Sequence, residues 1–163
     1  GGETVQESNL DGTYTPEKIP ERFEAGLQNY PGIIGFGEAV DYLQKVGFNN
    51  IQKQVLKLNE QITVSLSEQK NLHLLGPKKA EKRSGIFSFV LEKKNIHETS
   101  LLLSNVHNIM VRSGAHCVHS WFNKPENKNS VFGKGTVRAS LAFYNTAEEA
   151  DVFIEAVKKI GRL

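Results

Sequence analysis

The segment Val111-Arg112-Ser113-Gly114-Ala115-His116-Cys117-Val118-His119-Ser120-Trp121-Phe122 gathers the side chains with the most reactive chemistry. It holds the only cysteine of the chain, its only tryptophan and two of its five histidines. A thiol reacts as its thiolate, and cationic neighbours favour that form. A lone cysteine beside Arg112, His116 and His119 is therefore a candidate nucleophile. A small buried hydrophobe is the competing role for such a residue. A metal site is a third reading, since His116, Cys117 and His119 are zinc-ligand types. Adjacent residues of an extended chain diverge, however, and a closed structural site takes four ligands. The other histidines, His73, His97 and His107, are scattered without paired spacing.

Arg138 is the second candidate. It interrupts a run from Thr136 to Phe143 in which Val137, Ala139, Leu141 and Phe143 alternate onto one side. It can be an edge residue reaching solvent, or a bidentate anchor for a carboxylate, the task that guanidinium geometry suits best. If the fold brings Arg138 to the Cys117 loop, the two frame a pocket for an amino-acid carboxylate beside a thiolate.

The elements that must position these residues are legible around them. A strand over Ile109 to Arg112 is predicted to deliver the chain into the cysteine loop. Before it, Asn95 followed by Glu98 starts a helix whose Leu101, Leu102 and Leu103 read as core. Strands are predicted over Leu72 to Leu75 and Ser84 to Leu91, joined by the basic connector Pro77 to Arg83, read as a solvated loop. Asn123 to Gly135 is polar and glycine-punctuated, a loop. A last helix opens with the capping box Thr146-Ala147-Glu148-Glu149 and carries Ala150, Phe153, Ile154, Val157 and Ile160 as its apolar stripe. From residue 70 the order is strand, strand, helix, strand, strand, helix. That order predicts an α+β fold: a small, mostly antiparallel sheet with helices packed on one face.

Upstream, the pattern weakens. Residues 1–30 are broken by glycine and proline, with Thr13-Tyr14-Thr15 a short extended patch. This is an extended segment with too little apolar content to fold alone, expected to be poorly ordered or else built to lie on a surface that this chain does not contain. Gly1-Gly2 reads equally as a cloning remnant or as native sequence. Residues 31–68 form two connecting helices. The first begins at Pro31 with Ile33, Ile34, Phe36, Val40, Leu43 and Val46 as a packed face; the second carries Ile51, Val55, Leu58, Ile62 and Leu66. Gly32, Gly35 and Gly37 inside the first helix predict close approach of another backbone or a cofactor. Residues 69–163 make the C-terminal α+β domain with the cysteine loop.

Composition narrows the partners. At 163 residues, with 39% hydrophobic and 23% charged residues, the chain can bury one sizeable core. A net charge of +2 argues against nucleic acid or an anionic membrane as partner. One cysteine forms no internal disulfide, and no apolar run reaches transmembrane length, so a reducing, cytoplasmic location is expected.

Three blocks, in order, resemble a known family. Arg22-Phe23-Glu24-Ala25-Gly26 with Pro31-Gly32-Ile33-Ile34-Gly35 resembles the segment after the cofactor lysine in class V aminotransferase-like enzymes. Val111 to Cys117 resembles the cysteine loop of cysteine desulfurases of the sulfur-mobilisation (SufS-like) branch. Val137-Arg138-Ala139-Ser140-Leu141-Ala142-Phe143-Tyr144-Asn145-Thr146-Ala147-Glu148-Glu149 resembles their C-terminal strand and helix start, and Gly76-Pro77 before Ser84-Gly85-Ile86-Phe87-Ser88-Phe89 fits between.

The resemblance implies the C-terminal small domain of a fold-type I pyridoxal-phosphate enzyme. It implies a homodimer that takes sulfur from L-cysteine, releases L-alanine, and passes the sulfur to an acceptor protein for iron–sulfur cluster assembly. Cys117 matches the persulfide-carrying nucleophile and Arg138 the arginine that holds the substrate carboxylate. Arg112 and His116 match residues supporting the cysteine loop. The family's cofactor lysine, with the aspartate and histidine that hold the cofactor ring, lies upstream of this sequence. No cofactor-binding residue is therefore assigned here, and the chain alone is expected to bind no cofactor and to be inactive. Ala115 stands where many relatives have histidine, and Leu27 where a threonine commonly reaches the cofactor phosphate. The connection from Cys117 to Arg138 is longer than in bacterial short-loop members. The rival readings are a selenocysteine lyase or another class V enzyme, and a non-enzymatic domain holding metal or a partner through His116, Cys117 and His119.

Overall fold

The computed structural model describes residues 2–163, so Gly1 of the Gly1-Gly2 pair lies outside the described residues. The chain divides into two compact units, one ending at Gly47 and the other spanning Phe48–Leu163. The boundary falls inside the 31–68 segment of paired helices.

The first unit opens with an antiparallel hairpin, β1 (Val5–Ser8) and β2 (Tyr14–Pro16), instead of featureless chain. Its turn is closed by Asp11, whose carboxylate accepts from the backbone N–H and the hydroxyl of Thr13. Side-chain chemistry of this kind is local and leaves no apolar periodicity to detect. Helix α1 (Tyr30–Val46) is capped by Asn29, whose side chain accepts from the Gly32 backbone N–H, and ends at Gly47 with φ +88°. It buries none of its residues. The expected packed face is therefore exposed at Ile33, Ile34 and Phe36 and half-buried at Val40, Leu43 and Val46. Among the described residues of this chain no other element approaches the glycines. A Cβ at Gly35 or Gly37 would meet nothing, and one at Gly32 would meet only the capping side chain of Asn29.

The second unit holds the core. Helix α2 (Phe48–Ser67) is followed by β3 (Leu72–Leu75), β4 (Ile86–Leu91), α3 (Ile96–His107) and β5 (Arg112–Gly114). Two short helices, α4 (His119–Phe122) and α5 (Pro125–Lys128), precede β6 (Thr136–Ser140) and α6 (Ala147–Arg162). The four strands β3 to β6 pair antiparallel in the order β3-β4-β6-β5. The α+β architecture from residue 70 is the one read from the sequence, with smaller corrections. The strand before the cysteine is Arg112–Gly114, not Ile109 to Arg112, because Ser113 and Gly114 are the residues that find partners on β6. The 123–135 loop contains α5.

Period-two alternation divides the sheet into two faces. Phe87 and Phe89 of β4 lie opposite Ala139 and Val137 of β6, and this face meets α2, α3 and α6 in a single core cluster. Phe153 of α6 sets its ring 6.2 Å from Phe87 and 6.1 Å from Phe89, both edge-on, the geometry aromatic quadrupoles favour. Helix α6 is started by the predicted capping box: the Thr146 hydroxyl accepts from the Glu149 N–H, and the Glu149 carboxylate accepts from the Thr146 N–H. Helix α3 is capped by Asn95 and terminated by Asn108 at φ +54°. Only one side of α3 can reach the core. Leu103 is buried while Leu101 is 60% exposed, so the three-leucine run is not core throughout. The basic connector is not wholly solvated either. Ala80 is buried, Arg83 lies over the Phe87 ring and its guanidinium donates to the Thr63 hydroxyl.

Candidate functional site

The face of the sheet opposite the core cluster carries the site. Ser88, Arg138 and Arg112 occupy one cross-strand row, Ser88 pairing with Arg138 and Arg138 with Arg112. β6 lies between β4 and β5, which removes the reading of Arg138 as an edge residue. Among the described residues, neither arginine has an ion-pair partner, and the Nε of Arg138 is buried without a hydrogen-bond partner. Like charges directly opposite one another across a sheet are destabilising. Two such guanidiniums make a donor array that a carboxylate would satisfy and neutralise.

Beyond β5 the chain reverses sharply. The Val118 N–H donates to the Ala115 carbonyl at 2.9 Å, and the two central residues, His116 and Cys117, have φ of +50° and +64°. A turn with both central φ values positive belongs to type I′, which glycine, asparagine and aspartate dominate. Left-handed conformations at non-glycine residues cost on the order of 1 kcal/mol or more each and persist only where the surroundings enforce them. The surroundings here are hydrogen bonds. His116 Nε2 lies 2.9 Å from the Thr136 hydroxyl, Thr136 is fully buried, and it pairs with Gly114 across β5 and β6. On the other side Arg112 Nη2 donates to Cys117 Sγ at 3.4 Å.

The turn places Cys117 at the surface with a free thiol, which excludes the role of a small buried hydrophobe. His116 is half-buried, and its Nδ1 has no partner. Burial, and then the positive charges of Arg138 and Arg112, hold its pKa below 6.5, against hydrogen bonding to Thr136. His116 is thus a neutral ring near neutral pH, fixed under the turn. His119 opens α4 and is exposed. Among the described residues no three His, Cys, Asp or Glu side chains are grouped to hold a metal ion. Trp121 stacks edge-on against the buried Phe122 at 4.9 Å, a packing role.

Two contributors escaped the sequence reading. Thr136 anchors His116, and His97 Nδ1 lies 2.9 Å from the Ser113 hydroxyl, tying α3 to β5. Neither has a sequence signal, because each acts through a contact between distant segments.

The cofactor implied by the resemblance, pyridoxal phosphate, requires an amine to bond its carbonyl carbon and partners for its ring and phosphate. The hydrogen-bonded cluster here consists of a thiol, guanidinium, imidazole and hydroxyls, with no lysine among the described residues taking part. It fits the carboxylate and sulfur of a substrate and does not fit the anchoring of the cofactor.

The chain is similar to known proteins of one family. The family model described as Aminotransferase class-V matches residues 1–153. A protein of Xylella fastidiosa named "Probable cysteine desulfurase" is 37% identical over 166 residues, covering 100% of this chain and 37% of its own length. An Escherichia coli protein named "Cysteine desulfurase" is 35% identical over 166 residues, covering 100% of this chain and 38% of its own. The solved apo structure of a cysteine desulfurase from Thermococcus onnurineus superposes with a TM-score of 0.77 at 34% identity, over 99% of this chain and 38% of that one. The chain thus spans well under half the length of the relatives it matches.

Proposed function

Because the chain belongs to the aminotransferase class V family, we propose that it forms the part of a pyridoxal-phosphate-dependent cysteine desulfurase that receives the sulfur. One observation carries this reading: an exposed cysteine is hydrogen-bonded by Arg112 at 3.4 Å, and Arg112 pairs across the sheet with Arg138, a second arginine without an ion-pair partner among the described residues. In this proposal Arg138 binds the carboxylate of L-cysteine, and Arg112 steers the Cys117 sulfur. His116 holds the turn from below as a neutral ring. Pyridoxal phosphate, when bound in the intact homodimer, supplies the electron sink that makes the substrate C–S bond breakable. The Cys117 thiolate forms an S–S bond with the substrate sulfur as the C–S bond breaks. The bonding pair stays with carbon, which takes up a proton and leaves as L-alanine. The sulfur then passes from the Cys117 persulfide to an acceptor protein, with iron–sulfur cluster assembly as its destination.

The experiment is mass spectrometry of the full-length enzyme after incubation with L-cysteine. Wild-type protein should carry a persulfide on Cys117, and Cys117→Ser should carry none; a persulfide persisting in the variant refutes the assignment. Alanine release that survives undiminished in the variant would instead favour a selenocysteine lyase or another class V activity. This chain purified alone, given pyridoxal phosphate and L-cysteine, should release no alanine, because its cluster supplies no amine for the cofactor.

A further inference from the structure

Next to the cysteine segment the second unit contains a groove of about 440 Å³. One wall is the turn leading into α3, with Lys93, Lys94 and His97; the other is the segment after α5, with Lys128 and Lys134. Both walls are fastened to β5, a few residues before Cys117. His97 reaches the Ser113 hydroxyl at 2.9 Å. Gly135 approaches so closely that a Cβ there would lie 2.5 Å from the Gly114 carbonyl oxygen, a contact that only glycine permits. Whatever fills this groove therefore sits against segments fastened to the strand that leads into the Cys117 turn.

The charge of the groove is one-sided. Four lysines line it, and its one carboxylate, Glu92, is engaged by His73 at 2.6 Å. None of the four lysines has an ion-pair partner among the described residues. The chain as a whole carries a formal charge of only +2, so the concentration is local and not a general excess of base. Cys117 is exposed, and a sulfur held there as a persulfide leaves to a nucleophile that reaches it, a role to which a protein thiol is suited. Nucleic acid and free phosphate match the lysines but bring no thiol.

We propose that this lysine-lined groove docks an acidic segment of the protein that accepts sulfur from Cys117. The proposal rests on the reading of Cys117 as a sulfur carrier. In the transfer, the acceptor thiolate forms an S–S bond with the outer persulfide sulfur, the bond to Cys117 breaks, and Cys117 departs as thiolate. Sulfur moves at constant overall oxidation level, with no further oxidant or reductant. The lysines bring the partner into register and speed its encounter, the usual effect of complementary charge at an interface.

The test uses the full-length holoenzyme and three probes: a labelled peptide with a cysteine flanked by six glutamates, the same peptide with glutamines, and an oligothymidylate of equal charge. Binding is measured on the Cys117→Ser form, so that it does not depend on chemistry. At low salt the glutamate peptide should bind at least about tenfold more tightly than the glutamine peptide. Reversing Lys93, Lys94, Lys128 and Lys134 to glutamate should abolish the preference. The milder pairs Lys93→Gln with Lys94→Gln, and Lys128→Gln with Lys134→Gln, should each reduce it. The same variants should slow transfer from the Cys117 persulfide to the acidic peptide while leaving persulfide formation from L-cysteine unchanged. Equal binding of the two peptides, a preference that survives in all the lysine variants, or tighter lysine-dependent binding of oligothymidylate overturns the proposal. A wild-type enzyme that forms no Cys117 persulfide overturns the sulfur-carrier reading, and the acceptor's role with it, whatever the binding shows.

Discussion

The core between β4, β6 and α6 and the turn at Cys117 lie on opposite sides of the same strand, and they are built on opposite terms. On one side Phe87, Phe89, Val137 and Phe153 are each no more than 6% exposed and close-packed. On the other, Arg112 and Cys117 are exposed, the backbone is left-handed at two successive residues, and a few hydrogen bonds hold the geometry. Burial stabilises without specifying a direction, whereas aiming a sulfur atom needs directional bonds on a surface that a substrate and an acceptor can reach. The reactive segment is strained and sparsely supported because β6 beneath it is firmly held.

The largest effect that would break this contrast lies in the core. Phe153→Ala should destabilise the fold by about 3–5 kcal/mol, the range for a fully packed aromatic. Urea denaturation followed by circular dichroism measures it, with Cys117→Ser as the paired control, expected within about 0.5 kcal/mol of wild type. A Phe153→Ala variant as stable as Cys117→Ser would show that the core does not support the site as described.

A smaller effect sharpens the other side. The His116 pKa is held below its ordinary value by burial and by the arginines. The unfolded chain therefore takes up a proton at this ring, as pH falls through about 6.5, that the folded chain resists. His116 thus contributes stability that is present above that range and lost as pH falls into it. In denaturation series between pH 5 and 7.5, wild type should lose more stability on acidification than His116→Gln. Parallel curves would place His116 in solvent and not beneath the turn.

Much of the fold was legible because it rests on patterns that repeat along the chain. The stripe Ala150, Phe153, Ile154, Val157 and Ile160 and the Thr146–Glu149 capping box announced α6, and every residue of that stripe is buried. The same reasoning failed for α1, whose apolar residues have the right spacing yet are exposed or at most half-buried. Periodicity reports which side of a helix is apolar, and whether another element covers that side is a separate matter. At the site, residue types singled out Cys117, Arg112, His116 and Arg138, but nothing at positions 116 and 117 signals a left-handed turn. Glycine, asparagine and aspartate announce such turns, and His-Cys does not.

The sequence by itself determined the chemical inventory and the order of elements, since reactivity belongs to side chains and helices and strands to local periodicity. Only the tertiary structure decided that Arg138 stands opposite Arg112, that Thr136 fixes His116, and that four lysines from two distant segments share one groove whose walls touch Ser113 and Gly114. Those relations arise from the β5–β6 register and from contacts between segments far apart in the chain. Residue types from Arg112 to His119 offer a reactive thiol; the strand pairing is what sets Arg138 opposite the Arg112 that donates to that thiol.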